Sequence, residues 1–562
     1  MIFVFSALNL PHAKVARLRS RTIRLHDSLA LVTLSLPIEN PFEGSFIHTA
    51  LGAFLKSLAF VCEWEHSFTF STERMEYAKR EGTSMTRDRI PAKLAGGFRV
   101  SRREFLAGCG ACALCGPALA RGAASAAVAS PTADDRPKVG LIFTHISPQE
   151  ETWPYKGYDY EARKAELTAR LRKECPNIEF VPATAQSPDE AKTLLAASPD
   201  VDGYLVYVIG IWSGAVEAIA ASGRPTILVD DLYAGSGEFL IQYAAARRQG
   251  LKVAGVSSSR FEDVVEALKC FECMKKLRSS VILDVIERDP GEQAKAIQEV
   301  FGTKVRQTSA AEVNEAFAKV DIAEAKKWAE RWMSEARAVV EPSRQEIEKS
   351  AQIYLAMHDL MERHHAQAVT IDCLTLFYGG KLPAYPCLGF FQLNNDGLVG
   401  ACEADLESTA TMLLMTYLTG RPGYISDPVI DTSKNQIIYA HCVAPSKVFG
   451  PSGPANPYDI RSHAEDRKGA AVRSLMPLGE MTTSLKFNPA RREVVVHQAK
   501  TVENIDEDKA CRTKLAAEAK DIDKLMTEWD RWGWHRVTFY GDLKRPVENV
   551  SVLLGFKVTW EG

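Results

Sequence analysis

From Pro137 onward the chain alternates short apolar runs with amphipathic stretches, and this rhythm limits its fold more than any other feature. Residues 139–143 (VGLIF), 203–208 (GYLVYV), 226–230 (TILVD) and 251–255 (LKVAG) are short and rich in apolar and β-branched residues. Strands covered on both faces have that composition. Residues 178–181 add a further strand, and 161–173 carry apolar residues at helical spacing. Ser187-Pro188-Asp189-Glu190 reads as a helix start: a cap residue, a proline suited to the first turn, and an acid three residues on. Parallel strands need a crossover, and helices supply it, so residues 137–255 are expected to form a doubly wound parallel sheet. No Gly-rich turn follows the first strand, which argues against a dinucleotide site.

A second doubly wound α/β domain is expected over residues 256–418. It opens at 280–284 (SVILD), carries a long helical stretch at 322–364 interrupted by Pro342, and returns to strands at 368–371 and 398–402. Beyond Thr419 the runs are short and β-rich, at 436–439, 480–487, 493–498, 535–540 and 550–554, so 419–562 reads as a mostly β domain. A chain of 562 residues exceeds what one hydrophobic core serves, in keeping with about two to four domains. Its 68 basic and 71 acidic residues leave a net charge of −3, which offers no cationic face for a nucleic-acid partner.

Residues 99–129 hold a different kind of signal. Ser101-Arg102-Arg103-Glu104-Phe105-Leu106 resembles a twin-arginine export motif; a mildly apolar stretch from Leu106 to Leu119 follows, and Ala118-Leu119-Ala120 or Ala127-Val128-Ala129 suits cleavage. Arg102 and Arg103 are therefore read as a signal for the twin-arginine machinery, with a periplasmic or otherwise exported destination. That route carries folded proteins, which permits a metal to be loaded first. A signal belongs near a start, so translation is expected to begin at Met75 or Met85. Residues 1–84 then read as upstream mistranslated or disordered sequence, and 85–136 as signal and linker. No long uncharged apolar run follows, so no membrane-spanning helix is expected.

The candidate chemistry lies at strand ends. Glu403 follows the 398–402 strand, where open α/β sheets place ligands, and Asp405 falls where a carboxylate caps the next helix. Asp427 stands 24 residues after Glu403 at the close of another strand-like run. A strand–helix–strand crossover would set the two carboxylates side by side, where they repel unless a cation or a shared proton lies between them. His535 opens a late strand beside Trp532 and Trp534, and His441 ends another. Eight cysteines follow the signal. Cys270 and Cys273 are expected as buried thiols on an amphipathic helix; Cys373, Cys387, Cys402 and Cys442, near the strand ends, are expected to be packed in the interior rather than joined by metal or disulfide.

Residues 398–429, with Glu403, the Leu-Thr-Gly turn and Asp427, and residues 532–558, with Trp-Gly, His535, Gly541-Asp542 and LLGFKV, resemble the metal-binding and C-terminal segments of L-fucose isomerases. The wider L-arabinose isomerase-like superfamily shares this order of two α/β domains and a β domain. The resemblance implies a divalent metal held by Glu403, Asp427 and His535: Mn2+, or another such as Mg2+ or Co2+. Glu403 and Asp427 would double as the acid–base pair of an aldose–ketose isomerase working on a fucose- or arabinose-like sugar through an enediolate. Arabinose isomerase-like relatives use a histidine near position 441, so His441 is either a fourth ligand or a sugar contact. The resemblance also implies a homo-oligomer. The alternatives are an exported, non-catalytic carbohydrate-binding protein on the same scaffold, and a metal-dependent hydrolase.

Overall fold

The computed structural model describes residues 136–197 and 200–562, together with an antiparallel pairing of Arg21–Thr22 with Thr33–Leu34. Arg102 and Arg103, with the Met75 and Met85 starts expected near them, lie outside the described residues.

The first sheet contains β1 (Lys138–Thr144), β2 (Glu179–Ala185), β3 (Gly203–Val208), β4 (Thr226–Asp230) and β5 (Val253–Val256). All pairings are parallel and the order is β2-β1-β3-β4-β5, a doubly wound arrangement. Every residue of β3 and β4 is buried, as strands sandwiched between helices must be. The helix Pro188–Ala197 starts as its sequence implies, with Ser187 Oγ accepting from the Glu190 amide.

The second sheet is parallel too. It contains β6 (Val281–Val285), β7 (Lys304–Thr308), β9 (Ala368–Ile371) and β10 (Val399–Cys402) in the order β10-β9-β6-β7. The short β8 (Ala338–Val339) leaves this sheet to pair with β13 (Tyr458–Arg461), itself paired with β14 (Ala471–Ser474). The stretch around Pro342 is two helices, Ile322–Glu335 and Arg344–Arg363; Ser343 and Glu346 form a capping box that starts the second.

The C-terminal strands form a ring. β11 (Tyr424–Asp431), β12 (Gln436–His441), β15 (Met481–Asn488), β16 (Glu493–Asn504), β17 (Thr513–Ala519) and β18 (Arg536–Tyr540) pair antiparallel in the order β15-β18-β11-β12-β17-β16, and β16 returns to pair with β15. Closure leaves no open edge among these strands. β19 (Lys557–Trp560) adds parallel to β16. Alternation sorts the strands' two faces. Leu485, Phe487, Val494, Val496, Val537 and Phe539 join one apolar core with the helices Glu262–Ser279 and Leu406–Thr419. The other face carries hydrogen-bonded polar groups, among them Ser426, Ser484 and Thr538.

Three local expectations are corrected. Residues 550–554 lie in the helix Lys544–Leu554, not a strand: Val547, Val550, Ser551 and Leu553 are buried at helical spacing, and Gly555, left-handed at φ 78°, ends the helix. A five-residue apolar run cannot by itself distinguish the two. Asp427 lies within β11 rather than at its close. β10 and β11 are not parallel neighbours either; the helix Leu406–Thr419 passes from the edge of the second sheet into the ring, where β11 pairs with β12 and β18.

Candidate metal centre

β10 brings the chain to Glu403. Gly400 within it lets the helix Cys387–Asn395 approach: a Cβ there would stand 2.7 Å from the Phe390 Cα. Glu403 and Ala404 then both take left-handed backbone, φ 66° and 48°, a conformation costing about 1–3 kcal/mol per residue with a Cβ. The Ala404 amide bonds Ile371 O at 3.0 Å, which ties this turn to the neighbouring strand. Asp405 caps the helix Leu406–Thr419, accepting from the Ser408 amide at 3.0 Å.

The barrel supplies the facing groups. Asp427 is opposite Ala440 in the β11–β12 ladder. His535 precedes β18, and the next residue is fixed: Arg536, fully buried, makes paired bonds to Glu561 at 2.8 and 2.9 Å. Glu561 also binds His497, which meets Tyr439. This buried chain of groups pins the strand immediately after His535.

Glu403, Asp427 and His535 each place a ligand atom within 4.8 Å of the others. His535 Nε2 stands 3.4 Å from Glu403 Oε2 and 3.3 Å from Asp427 Oδ1, aligned to donate to neither. Its Nδ1 meets Asp405 Oδ2 at 2.9 Å, and the same oxygen takes Lys486 Nζ at 2.8 Å. A carboxylate on Nδ1 keeps a hydrogen there, so once Nε2 gives up its proton its lone pair faces the two acids, the state in which a histidine binds a metal. A buried, unpartnered nitrogen facing two carboxylates fits an oxygen-rich divalent site.

Charge at the site points the same way. Burial alone would lower the basicity of His535, but Asp405, Asp427 and Glu403 outweigh it and raise its pKa to about 11. Burial pushes Asp427 up, yet His535, His441 and the Trp534 indole hold it down at about 2. Asp405 is likewise pushed up by burial and brought well below the usual carboxylate range by His535 and Lys486. The cluster stabilises a positive charge where a cation would sit.

His441 differs from His535. Its Nδ1 accepts the Cys442 amide at 2.8 Å, so a neutral ring carries its hydrogen on Nε2, which is buried, unpartnered and 3.9 Å from Glu403 Oε1. A second set of ligand atoms within 4.8 Å joins Asp427, His441 and Cys511. Cys270 and Cys273 are buried thiols, as expected. Cys373, Cys387, Cys402 and Cys442 are free and all line the cavity at the site. That cavity, about 350 Å³, is also bounded by Phe377, Tyr378, Tyr385, His463, Glu465 and Trp534.

Several groups escaped sequence reasoning. Asp405 was legible only as a cap. Lys486, Cys511 and the Trp534 indole, which donates to Asp427 Oδ1 at 2.7 Å, carry no spacing that marks them. The Trp534–His535 adjacency was the one available hint.

No protein-family model matches the chain. It is similar to a sulfoquinovose isomerase of Alkalicoccus urumqiensis, 26% identical over 190 residues, which cover 31% of this chain and 41% of that protein. One from Priestia aryabhattai is 27% identical over 138 residues, covering 24% and 30%. One from Clostridium sp. (strain MSTE9) is 32% identical over 94 residues, covering 16% and 20%. The matched stretches thus span about two-fifths or less of these relatives. A solved ABC transporter periplasmic solute binding protein from Actinobacillus succinogenes 130z, with bound D-allose, is 17% identical at a TM-score of 0.14, covering 44% of this chain and 83% of its own; so loose an overlap carries no argument. What the chain shares with known proteins is a partial, low-identity likeness to curated sugar isomerases.

Proposed function

We propose that the chain is a divalent-metal-dependent aldose–ketose isomerase. The observation that carries this reading is the buried His535 Nε2, fixed from behind by Asp405 and facing Glu403 and Asp427 on a cavity wall. The partial likeness to sulfoquinovose isomerases supports the reaction class.

Bound there, Mn2+ or a similar divalent ion would supply Lewis-acid stabilisation of the charge that builds on O1 and O2 of the opened sugar. Glu403, Asp427 and His535 would hold it. Either carboxylate can take the proton from one carbon and return it to its neighbour. His441, with its hydrogen on Nε2, is placed to donate to a sugar oxygen rather than to bind the cation. Phe377, Tyr378 and Trp534 give apolar surface for a sugar face and help exclude water.

Among the described residues the lining includes Glu403, Asp427 and Glu465 and no lysine or arginine, a wall suited to an uncharged fucose- or arabinose-like sugar over a sulfonated one. Export through the twin-arginine pathway, a periplasmic destination, homo-oligomeric assembly and the division into domains at residues 137–255, 256–418 and 419–562 belong to the same proposal, resting on motif and resemblance.

The test is to incubate Mn2+-loaded protein with L-fucose, L-arabinose, D-arabinose and sulfoquinovose and to follow ketose formation. Conversion of a neutral sugar that chelation abolishes is expected. Sugar binding without conversion, unchanged in Glu403→Gln, would overturn catalysis in favour of a binding protein.

A further inference from the structure

Isomerisation at the metal centre acts on an opened sugar, whereas fucose- and arabinose-like aldoses in water are closed hemiacetals. Opening the ring needs a base for the anomeric hydroxyl and an acid for the ring oxygen. Glu403 and Asp427 already serve the cation and the carbon-bound hydrogen in that reading. His441 carries its hydrogen on Nε2, so that nitrogen can donate but not accept.

A further histidine borders the same cavity. His463 lies on the loop between β13 and β14; its Nδ1 is buried, without a hydrogen bond, and 3.5 Å from Asp466 Oδ1. The loop is tied down at both ends: Arg512 Nε donates to Ser462 O at 2.8 Å, and the Gly469 amide donates to Glu346 Oε1 at 3.2 Å. Across it, the His463 amide donates to Lys468 O at 2.8 Å. Asp466 is fixed as well. Its Oδ1 accepts the Lys468 amide at 3.2 Å, and its Oδ2 accepts the Tyr385 hydroxyl. Tyr385 stacks on Phe377 with ring centroids 4.5 Å apart, and a Cβ at Gly469 would collide with its ring. Burial pushes the Asp466 carboxyl up, but Tyr385, the Lys468 amide and His463 bring it below its ordinary value. A carboxylate beside Nδ1 holds the hydrogen of a neutral ring there and leaves the Nε2 lone pair for a ligand. A separation of 3.5 Å is long for a hydrogen bond, and catalytic contacts of this kind tighten when a substrate enters.

We propose that His463, positioned by Asp466, is the catalytic base that opens the ring of a cyclic aldose in this cavity. Nε2 takes the proton of the anomeric hydroxyl. The C1–O5 bond breaks as the C1–O1 double bond forms, and the imidazolium returns the same proton to O5. No co-reactant is consumed. O1 and O5 share C1, so one nitrogen serves both in turn. The step rests on the isomerase reading for its substrate, yet its own signature, the exchange of anomers, requires no ketose.

The experiment dissolves crystalline L-fucose or L-arabinose, each a single anomer, with the Mg2+-loaded full chain. Proton magnetic resonance follows loss of that anomer, and a ketose assay follows isomerisation. Wild type is expected to speed anomer exchange above the buffer rate, and His463→Asn to lower its kcat/KM by about 100-fold. Asp466→Asn should lower kcat for exchange with KM unchanged, which marks a wrong tautomer rather than a damaged site. If His463→Asn unfolds early in a thermal scan, His463→Gln replaces it. Exchange at the wild-type rate in the His463 variant overturns the proposal. Ketose formation by a wild type that leaves anomer exchange at the buffer rate also overturns it and leaves the isomerase reading standing. Exchange that is lost with His463, with no ketose from any sugar, upholds the ring-opening base and defeats the isomerase reading. Neither activity in wild type overturns both.

Discussion

Replacing Asp405 with asparagine removes the carboxylate behind His535 while keeping the helix cap. The side chain works at two atoms. Oδ1 accepts the Ser408 amide as a helix cap; Oδ2 accepts from His535 Nδ1 at 2.9 Å, Lys486 Nζ at 2.8 Å and Ser408 Oγ at 2.8 Å. Asparagine caps a helix about as well as aspartate, so the Oδ1 role survives. Its amide NH2, however, would face the His535 N–H and the Lys486 ammonium, donor against donor. His535 relieves the clash by moving its hydrogen to Nε2, the atom a cation needs. Mn2+ affinity should fall by about 10–100-fold, or about 1.4–2.7 kcal/mol. Stability should fall as well, because buried Lys486 keeps only Glu407, at 3.9 Å. A broken buried pair costs about 3–5 kcal/mol, and Glu407 should hold the loss near the lower end. Manganese titration followed by electron paramagnetic resonance, with thermal unfolding of the metal-free protein, separates the two effects. Adding Lys486→Met to Asp405→Asn should recover stability without recovering affinity. Wild-type Mn2+ affinity in Asp405→Asn would refute the reasoning, since His535 would then need no carboxylate behind it.

Other perturbations separate the remaining roles. His441→Asn should retain a bound Mn2+ while kcat/KM drops by about 100-fold, and His535→Asn should lose the ion; equal loss of metal in both, by elemental analysis, would make His441 a ligand. Trp534→Phe removes one hydrogen bond to Asp427 and should weaken Mn2+ binding by about 1.5–3 kcal/mol in calorimetry. Glu561→Gln breaks the buried Arg536 pair and should cost about 3–5 kcal/mol by urea unfolding. Burial pushes the Glu561 carboxyl up, but Arg536 and His497 hold it from its ordinary 4.5 down to about 2. A carboxylate depressed by folding stabilises the protein above its unfolded pKa and loses that contribution as pH falls through the folded one. Wild-type stability should therefore decline between about pH 4.5 and 2, and Glu561→Gln should flatten that decline. Parallel pH profiles would rule out Glu561 as the cause.

The two parallel sheets were legible because their central strands are buried on both faces, and continuous apolar runs such as GYLVYV leave few other readings. The break at Pro342 and the cap at Ser187 were legible for equally local reasons. The closed ring was not. β15, β16 and β17 pair with their neighbours in sequence, but the ring also needs β18 between β15 and β11, although more than a hundred residues separate β11 from β18. No local pattern encodes such a pairing, and the short run 424–427 reads on its own as a strand that ends at Asp427.

The same limit explains why Glu403, Asp427 and His535 could be named from resemblance but not assembled from spacing. A βαβ crossover would have placed the two acids at adjacent ends of one sheet. Instead Glu403 comes from the edge of a parallel sheet, while Asp427 and His535 come from the two neighbouring strands of an antiparallel ring. The seam between these two architectures carries a cost: left-handed backbone at Glu403 and Ala404, and a lysine buried against carboxylates. Asp405 links both sides of that seam. It starts the helix that leaves the parallel sheet and, through the same side chain, holds the histidine that the ring presents. Such a residue reads locally as a cap because capping is its only local task. Its second role exists only once β18 has paired with β11 across more than a hundred residues of chain, so a chain that folds its parallel sheets but fails to form that pairing would keep the cap and lose the metal centre.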